Sequence, residues 1–435
     1  MHRSIRSLVS LAAVLAVLLP ALPAGAGHQD DPRTRNLRPL GHIVEPAVLG
    51  GFGGADPDIH TDLAFWGDFA FQGNWDGFNI RDISDPRDPS TVSRTHCDGN
   101  QGDIVVWRDI LVRSWNTPAA AGLLCDGEPV PEGFEGIHVF DISNMEDPEL
   151  VAELPLPCGS HTATGVPDRE NDRLLIYNNA SSEDCPQIDV VKVPFERPDR
   201  TTLLRSIETG RACHDTGVIL GRADLAGCAG HDGFTMLRVR NPANPRVLYS
   251  KSIEGVEIGH SAAFTWDGEV FIFGHEPGGG VEAQCEATDP ELFRTYLFFD
   301  ARSGERVGKW TLQRTQTEIE NCTLHNLNTV PLAQKYVLVH GSYQAGTGVV
   351  NFTRLQRARE IAWSDPPPRP VPPDTPFCCD VGGAWSSYWY NGFIYESNIN
   401  EGLNIFRLNS DVTEHARKLR HLNPQTQEFT LPRGH

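Results

Sequence analysis

The chain of 435 residues is short of positive charge, with 37 lysines and arginines against 57 aspartates and glutamates and a formal net charge of -20. That deficit argues against a nucleic-acid partner, whose phosphates require an electropositive face. An anionic membrane surface is disfavoured for the same reason. Beyond the N-terminal segment no apolar run reaches the length of about 20 residues that a membrane span needs. A G-x-S-x-G elbow, a phosphate-cradling loop and a dinucleotide fingerprint are also missing. Serine-elbow hydrolysis and nucleotide chemistry therefore have no support. Abundant instead are turn formers, 41 glycines and 32 prolines, which long helices do not tolerate. With 20 phenylalanines, 9 tryptophans and 39% hydrophobic residues there is material for a large core, and an all-β fold is the expectation.

Residues 1–26 read as a secretory signal: Arg3 and Arg6, an apolar stretch from Leu8 to Leu19, then Ala24-Gly25-Ala26 as an A-x-A type cleavage site. Pro20 and Pro23 break the run too early for an anchor. The expected product is secreted and starts near Gly27. In an oxidising compartment the ten cysteines, an even number, read as disulfide partners rather than thiolate ligands.

The phrase Gly77-Phe78-Asn79-Ile80-Arg81-Asp82-Ile83-Ser84 recurs as Gly136-Ile137-His138-Val139-Phe140-Asp141-Ile142-Ser143. Weaker copies begin at Gly233, Tyr296, Gly348 and Gly402, and Gln187 to Val193 is the most divergent. Each has strand length, follows two further apolar strands and precedes a turn and a fourth strand. A four-strand unit cannot cover both its faces alone and must stack radially, as a propeller blade does. Seven sets begin near His60, Gln101, His161, His214, His260, His325 and Ala384, 324 residues in six steps of 54 on average. Residues 27–435 are accordingly expected to form one seven-bladed β-propeller. Leu37 to Glu45 and Ala416 to Leu422 both look like outer strands, one to complete blade seven and the other to cover an edge. At these phrases the chain resembles the LVIVD-repeat family of secreted bacterial propellers, strongest at Gly77 to Ser84 and Gly136 to Ser143. That resemblance implies a scaffold and carries no catalytic assignment.

In an antiparallel blade the innermost strand starts, and the second strand ends, at one rim of the disc. Five of the seven innermost strands start with histidine: His60, His161, His214, His260 and His325. The cysteines fall on that rim too. Cys97 with Cys125, Cys158 with Cys185 and Cys213 with Cys228 are expected within blades, and Cys285 with Cys322 across blades five and six. Cys378 and Cys379 are adjacent, and either bridge each other or seek other partners.

The histidines have two readings. Neutral imidazoles from several inner strands converge at the channel mouth on zinc, iron or copper; carotenoid-cleaving oxygenases give an architectural precedent for an all-histidine iron site on a propeller axis. Or each histidine braces its loop against the neighbouring blade, as the Gly-His dipeptide of WD40 propellers does, and Gly259-His260 looks like that dipeptide. His231, His275, His340, Glu276 and Asp215 form a second tier, read as partners for metal-bound imidazoles. Trp385, Tyr388, Trp389 and Tyr390 either stack a ligand at the mouth of blade seven or pack between blades. Two functions follow: a metal-dependent enzyme, oxidoreductase or hydrolase, acting on a small molecule, or a non-catalytic propeller whose loops bind an extracellular partner. A monomer is expected in either case.

Overall fold

The computed structural model describes residues 30–45, 59–99, 101–180, 184–280, 282–368 and 382–432. The segment 1–26, read as a signal, and Cys378 and Cys379 lie outside the described residues. The seven recurring phrases form the third strands of seven blades, each built on four antiparallel strands. From blade one onward the innermost strands are His60–Trp66, Ile104–Trp107, Thr162–Asp168, Asp215–Ile219, Gly259–Phe264, Leu327–Thr329 and Ala384–Tyr390. Helical structure among the described residues is limited to six short 3-10 turns.

Why the phrase opens on glycine is visible at Gly77 and Gly402. Both take positive φ, 141° and 107°, and a Cβ would lie 1.9 Å from the Thr95 carbonyl oxygen in the first and 2.3 Å from that of Ile43 in the second. Only a residue without a side chain lets the outer strand approach so closely. In every blade the pairing of third and fourth strands contains a register shift, which increases the twist towards the outer edge.

Among the described residues seven apolar clusters fill the seams between neighbouring blades, one in each, and an eighth, smaller one gathers Ile59, Tyr343 and Ile399. Phe71, Phe78 and Ile80 of blade one, for example, pack on Ile104, Leu111 and Phe140 of blade two. Every blade thus buries both faces, which it cannot do alone.

Ring closure falls to the N-terminal strand Leu37–Val44, which pairs antiparallel with Gly402–Leu408 as the outer strand of blade seven. The seam between blades seven and one adds stacked Phe65 and Tyr390 rings, with centroids 4.5 Å apart. A polar network also joins them. Arg81, fully buried, donates to Glu45 and to Gln72 Oε1, while Gln72 Nε2 donates to Ser397 Oγ and the Gly402 carbonyl.

The expectation of a second outer strand at Ala416 to Leu422 is corrected here. His415–Lys418 is a 3-10 turn, and the chain after it crosses the far end of the channel. There Thr426–Gln427 pairs parallel with Val218 and Ile219 as a fifth strand on blade four. Gln425 Nε2 donates to Ile104 O, Thr426 Oγ1 to Gly165 O, and Leu431 N to Trp266 O. Trp107 Nε1 donates to Glu428. The tail is tied to blades two through five, because the free edge of an innermost strand needs a partner and these residues supply one.

Among the described residues four disulfides join Cys97 to Cys125, Cys158 to Cys185, Cys213 to Cys228 and Cys285 to Cys322, three within blades and one across blades five and six. Phe406 lies fully buried in the seam between blades six and seven, on the strand that receives Leu37–Val44. Phe406→Ala is expected to lower the stability by about 3–5 kcal/mol, measured by urea unfolding. A loss under 1 kcal/mol would argue against the packing of this seam.

Candidate metal centre

Inner strands crowd together at the channel mouth, so side chains at their starts meet. His161, His214, His260 and His325, from blades three to six, form a continuous arc. Neighbouring ring centroids are 4.2 Å, 3.8 Å and 4.4 Å apart along it. They line one cavity of about 460 Å³ together with Asp215, Glu276, Tyr343, Trp75, Trp385 and Tyr388. Its floor includes Pro424, Gln425 and Gln427 of the C-terminal tail.

Each ring is held by Nδ1. In His161 it faces Asn116 Oδ1 at 2.6 Å, in His214 Asp215 Oδ1 at 3.2 Å, and in His325 the Trp385 carbonyl oxygen of the next blade. In His260 it faces Ser261 Oγ at 3.1 Å, whose own proton goes to the His325 carbonyl. All four partners accept, so all four Nδ1 atoms carry the proton and donate. The neutral rings then present Nε2 lone pairs to the cavity. His161 Nε2 and His214 Nε2 are 2.7 Å apart, and two lone pairs do not sit at that distance without a positive species between or beside them. At the other end of the arc Glu276 lies 3.5 Å from His260 Nε2 and 3.6 Å from His325 Nε2, and receives the Tyr343 hydroxyl.

Burial dominates the electrostatics. It pushes His161 and His214 down to about 3, His325 to about 4 and His260 well below its ordinary value, so all four are neutral at pH 7. The same desolvation raises Asp215 to about 6 and Glu276 to about 8.

Of the expected ring, His60 does not join. Its Nε2 donates to the Glu45 carbonyl at 2.8 Å, so the closing strand of blade seven holds the ring in the seam. From the second tier, Asp215, Glu276 and His231 line the cavity, and His275 and His340 do not. His275 ends the strand Val270–His275, accepts the Glu257 amide and packs on Phe293. His340 lies within Val337–Gly341, between Tyr296 and Trp310 in the seam of blades five and six. Strand alternation turns both into packing positions. Trp385 and Tyr388 face the cavity, whereas Trp389 and Tyr390 fill seams.

The cavity also contains residues the histidine pattern does not single out. Asp62 and Asp103 line it on blades one and two, as does Tyr343. The two aspartates stand two residues after His60 and Gln101, so the alignment that exposes the histidines has a second informative column.

No family model matches the chain, and no curated protein matches it. Among solved structures it is similar to a chain in the crystal structure of a mitotic checkpoint complex, at a TM-score of 0.53 and 12% identity. That likeness covers 92% of this chain and 99% of the other. At such identity it shows the propeller fold alone.

Histidines held neutral by burial set a pH dependence. Besides those of the arc, His60 and His275 are pushed down to about 4, and His138 and His340 to about 3. Below their ordinary value of 6.5 the unfolded chain binds protons that the folded chain refuses, so stability is lost as pH falls from 6.5 towards 4. Buried carboxyls act oppositely, but only Asp62, Asp103, Asp215 and Glu276 are displaced far, against eight histidines, and Glu153, Asp189, Glu360, Asp365 and Glu396 are raised less. Without added metal, the melting temperature is expected to rise from pH 4 to 6.5, then decline towards pH 8 as Glu276 resists losing its proton. Circular dichroism melts at half-unit intervals check this; a flat profile below 6.5 contradicts it.

Proposed function

We propose that the chain is a secreted, LVIVD-repeat type propeller that works as a metal-dependent enzyme on a small molecule. Its centre is held by His260 with either His214 and Asp215 or His325 and Glu276, whose ligand atoms lie within 4.8 Å of one another, and His161 extends the arc beside them. The observation that carries this reading is the pair of Nε2 atoms 2.7 Å apart, each on a ring whose Nδ1 is committed as a donor. A transition metal answers that requirement better than a proton, because four neutral imidazoles face the cavity and burial has already removed the protons a metal would have to displace from them. Imidazole donors suit zinc, iron or copper. Neutral ligands leave the charge of the ion largely uncompensated, and so favour polarisation of a bound oxygen or carbonyl.

The protein's own residues supply the rest. Asn116, Asp215, Ser261 and the Trp385 carbonyl fix the ring orientations, as partners of metal-bound histidines commonly do. The tail restricts the far end of the channel, and Trp75 and Trp385 give the cavity apolar walls for an organic substrate. The four disulfides among the described residues support both the secreted location and a site that must hold its shape, and one of them joins Cys213 beside His214 to Cys228 in the strand Leu225–Gly230.

Protein purified without a tag is expected to contain close to one zinc, iron or copper per chain by elemental analysis. Replacing His214 and His260 together by alanine should reduce the metal at least tenfold while leaving the β-sheet spectrum intact. Folded wild-type protein that neither contains nor takes up any of the three overturns the proposal and leaves the non-catalytic binding function.

A further inference from the structure

The imidazole arc spans blades three to six, and the mouth is built differently where it stops. In blade seven Ala384 stands where the arc would continue, and in blade one His60 is held in the seam. Two indoles line the cavity on these blades: Trp385 on the strand Ala384–Tyr390, and Trp75 in the turn between Phe69–Asn74 and Gly77–Asp82. Both are only partly buried, and both pack on the buried Ile59, Tyr343 and Ile399. That backing fixes their place and leaves aromatic surface uncovered. Trp66 and Trp363 are also partly buried, but Trp66 packs on Trp107 and Trp363 carries the Arg314 guanidinium over its ring. Trp75 and Trp385 border the cavity instead, where a ligand that covers them gains the stabilisation of a large apolar contact.

This wall abuts the arc. The Trp385 ring lies 4.9 Å from that of His325 at an interplanar angle of 78°, and the Tyr343 ring lies 4.6 Å from His325 and 6.3 Å from Trp385. A flat body resting on the indoles is therefore beside the His325 and Glu276 end of the arc, in the edge-to-face company that aromatic rings prefer. The cavity volume of about 460 Å³ is that of a small-molecule site. Its charge restricts the ligand further. No lysine or arginine is among the described residues that line it, whereas Asp62, Asp103, Asp215 and Glu276 are. An anionic group on the ring would find no protein counter-charge and would be desolvated next to carboxyls.

We infer that Trp75 and Trp385 are the recognition wall of this cavity, and that the substrate is an uncharged aromatic molecule whose ring lies against them. The inference rests on the reading of the cavity as an active site and names the class of molecule that the site takes.

Titration calorimetry of the full chain with 2-naphthol tests this, alongside decahydro-2-naphthol, its saturated counterpart, and 6-hydroxynaphthalene-2-sulfonate, its anionic one. 2-Naphthol is expected to bind at millimolar concentration or below, at least about threefold more tightly than the saturated alcohol and at least about tenfold more tightly than the sulfonate. Trp75→Leu/Trp385→Leu should weaken 2-naphthol at least about tenfold and remove the preference for the aromatic ring. Leucine keeps apolar bulk at both places, and the Trp385 carbonyl that holds His325 is untouched. Absence of 2-naphthol binding overturns the inference, as does a saturated alcohol or a sulfonate that binds as tightly, or 2-naphthol binding that survives the double variant. Should that variant not fold, Trp75→Leu and the wild-type ranking of the three probes decide the matter. Elemental analysis of the same wild-type samples separates the wall from the metal centre. Zinc, iron or copper present without the ranking overturns the wall alone, and the ranking in protein that holds and takes up none of the three overturns the centre alone.

Discussion

The innermost strands of seven blades meet around a small circle, and whatever stands at their starts is pressed together and cut off from water. That crowding is the constraint on which the rest depends. It brings imidazoles from four blades into ring contact, and desolvation then keeps them uncharged. The bracing and metal readings of these histidines are not alternatives. Nδ1 ties each ring to its own or a neighbouring blade, and that tie is what aims Nε2 at the cavity.

The same geometry explains the scaffold. Sheets that cannot bury both faces alone fill seven seams with apolar side chains, and the last seam is closed by a strand from the other end of the chain. Arg81, Gln72 and Glu45 add polar links there, and His60 is drawn to the Glu45 carbonyl as part of them. The position aligned with the arc therefore serves closure at the one seam where the chain ends meet. The tail, having passed the ring, returns to pair with the free edge of blade four and becomes the floor of the cavity.

Much of this was legible in the sequence, for a physical reason. Strand phrases repeat because each blade solves the same packing problem, so the all-β propeller and its seven blades could be read from the repeat, and the four disulfides from where the cysteines fall on it rather than from cysteine spacing alone. The histidines at strand starts could be read for the same reason. What a periodic pattern does not encode is where the period breaks. Ala416 to Leu422 has the apolar content of an outer strand, yet Leu37–Val44 occupies that place and the residues turn instead. His275 and His340 look like loop residues, but the strands extend to include them and turn their rings into packing. Asp62 and Asp103 escaped because carboxylates are common in an acidic chain, and only their place in the lining of one cavity sets them apart.

The central claim is that imidazoles of the arc, His260 with His214 or His325, hold one ion together with Asp215 or Glu276. X-ray absorption spectroscopy at the edge of whichever metal the native protein carries tests it most directly. The account predicts a nearest shell of nitrogen and oxygen with the outer-shell scattering of imidazole rings, diminished when His260 is replaced by alanine. A shell of oxygen or sulfur without imidazole scattering, unchanged by that replacement, would contradict it.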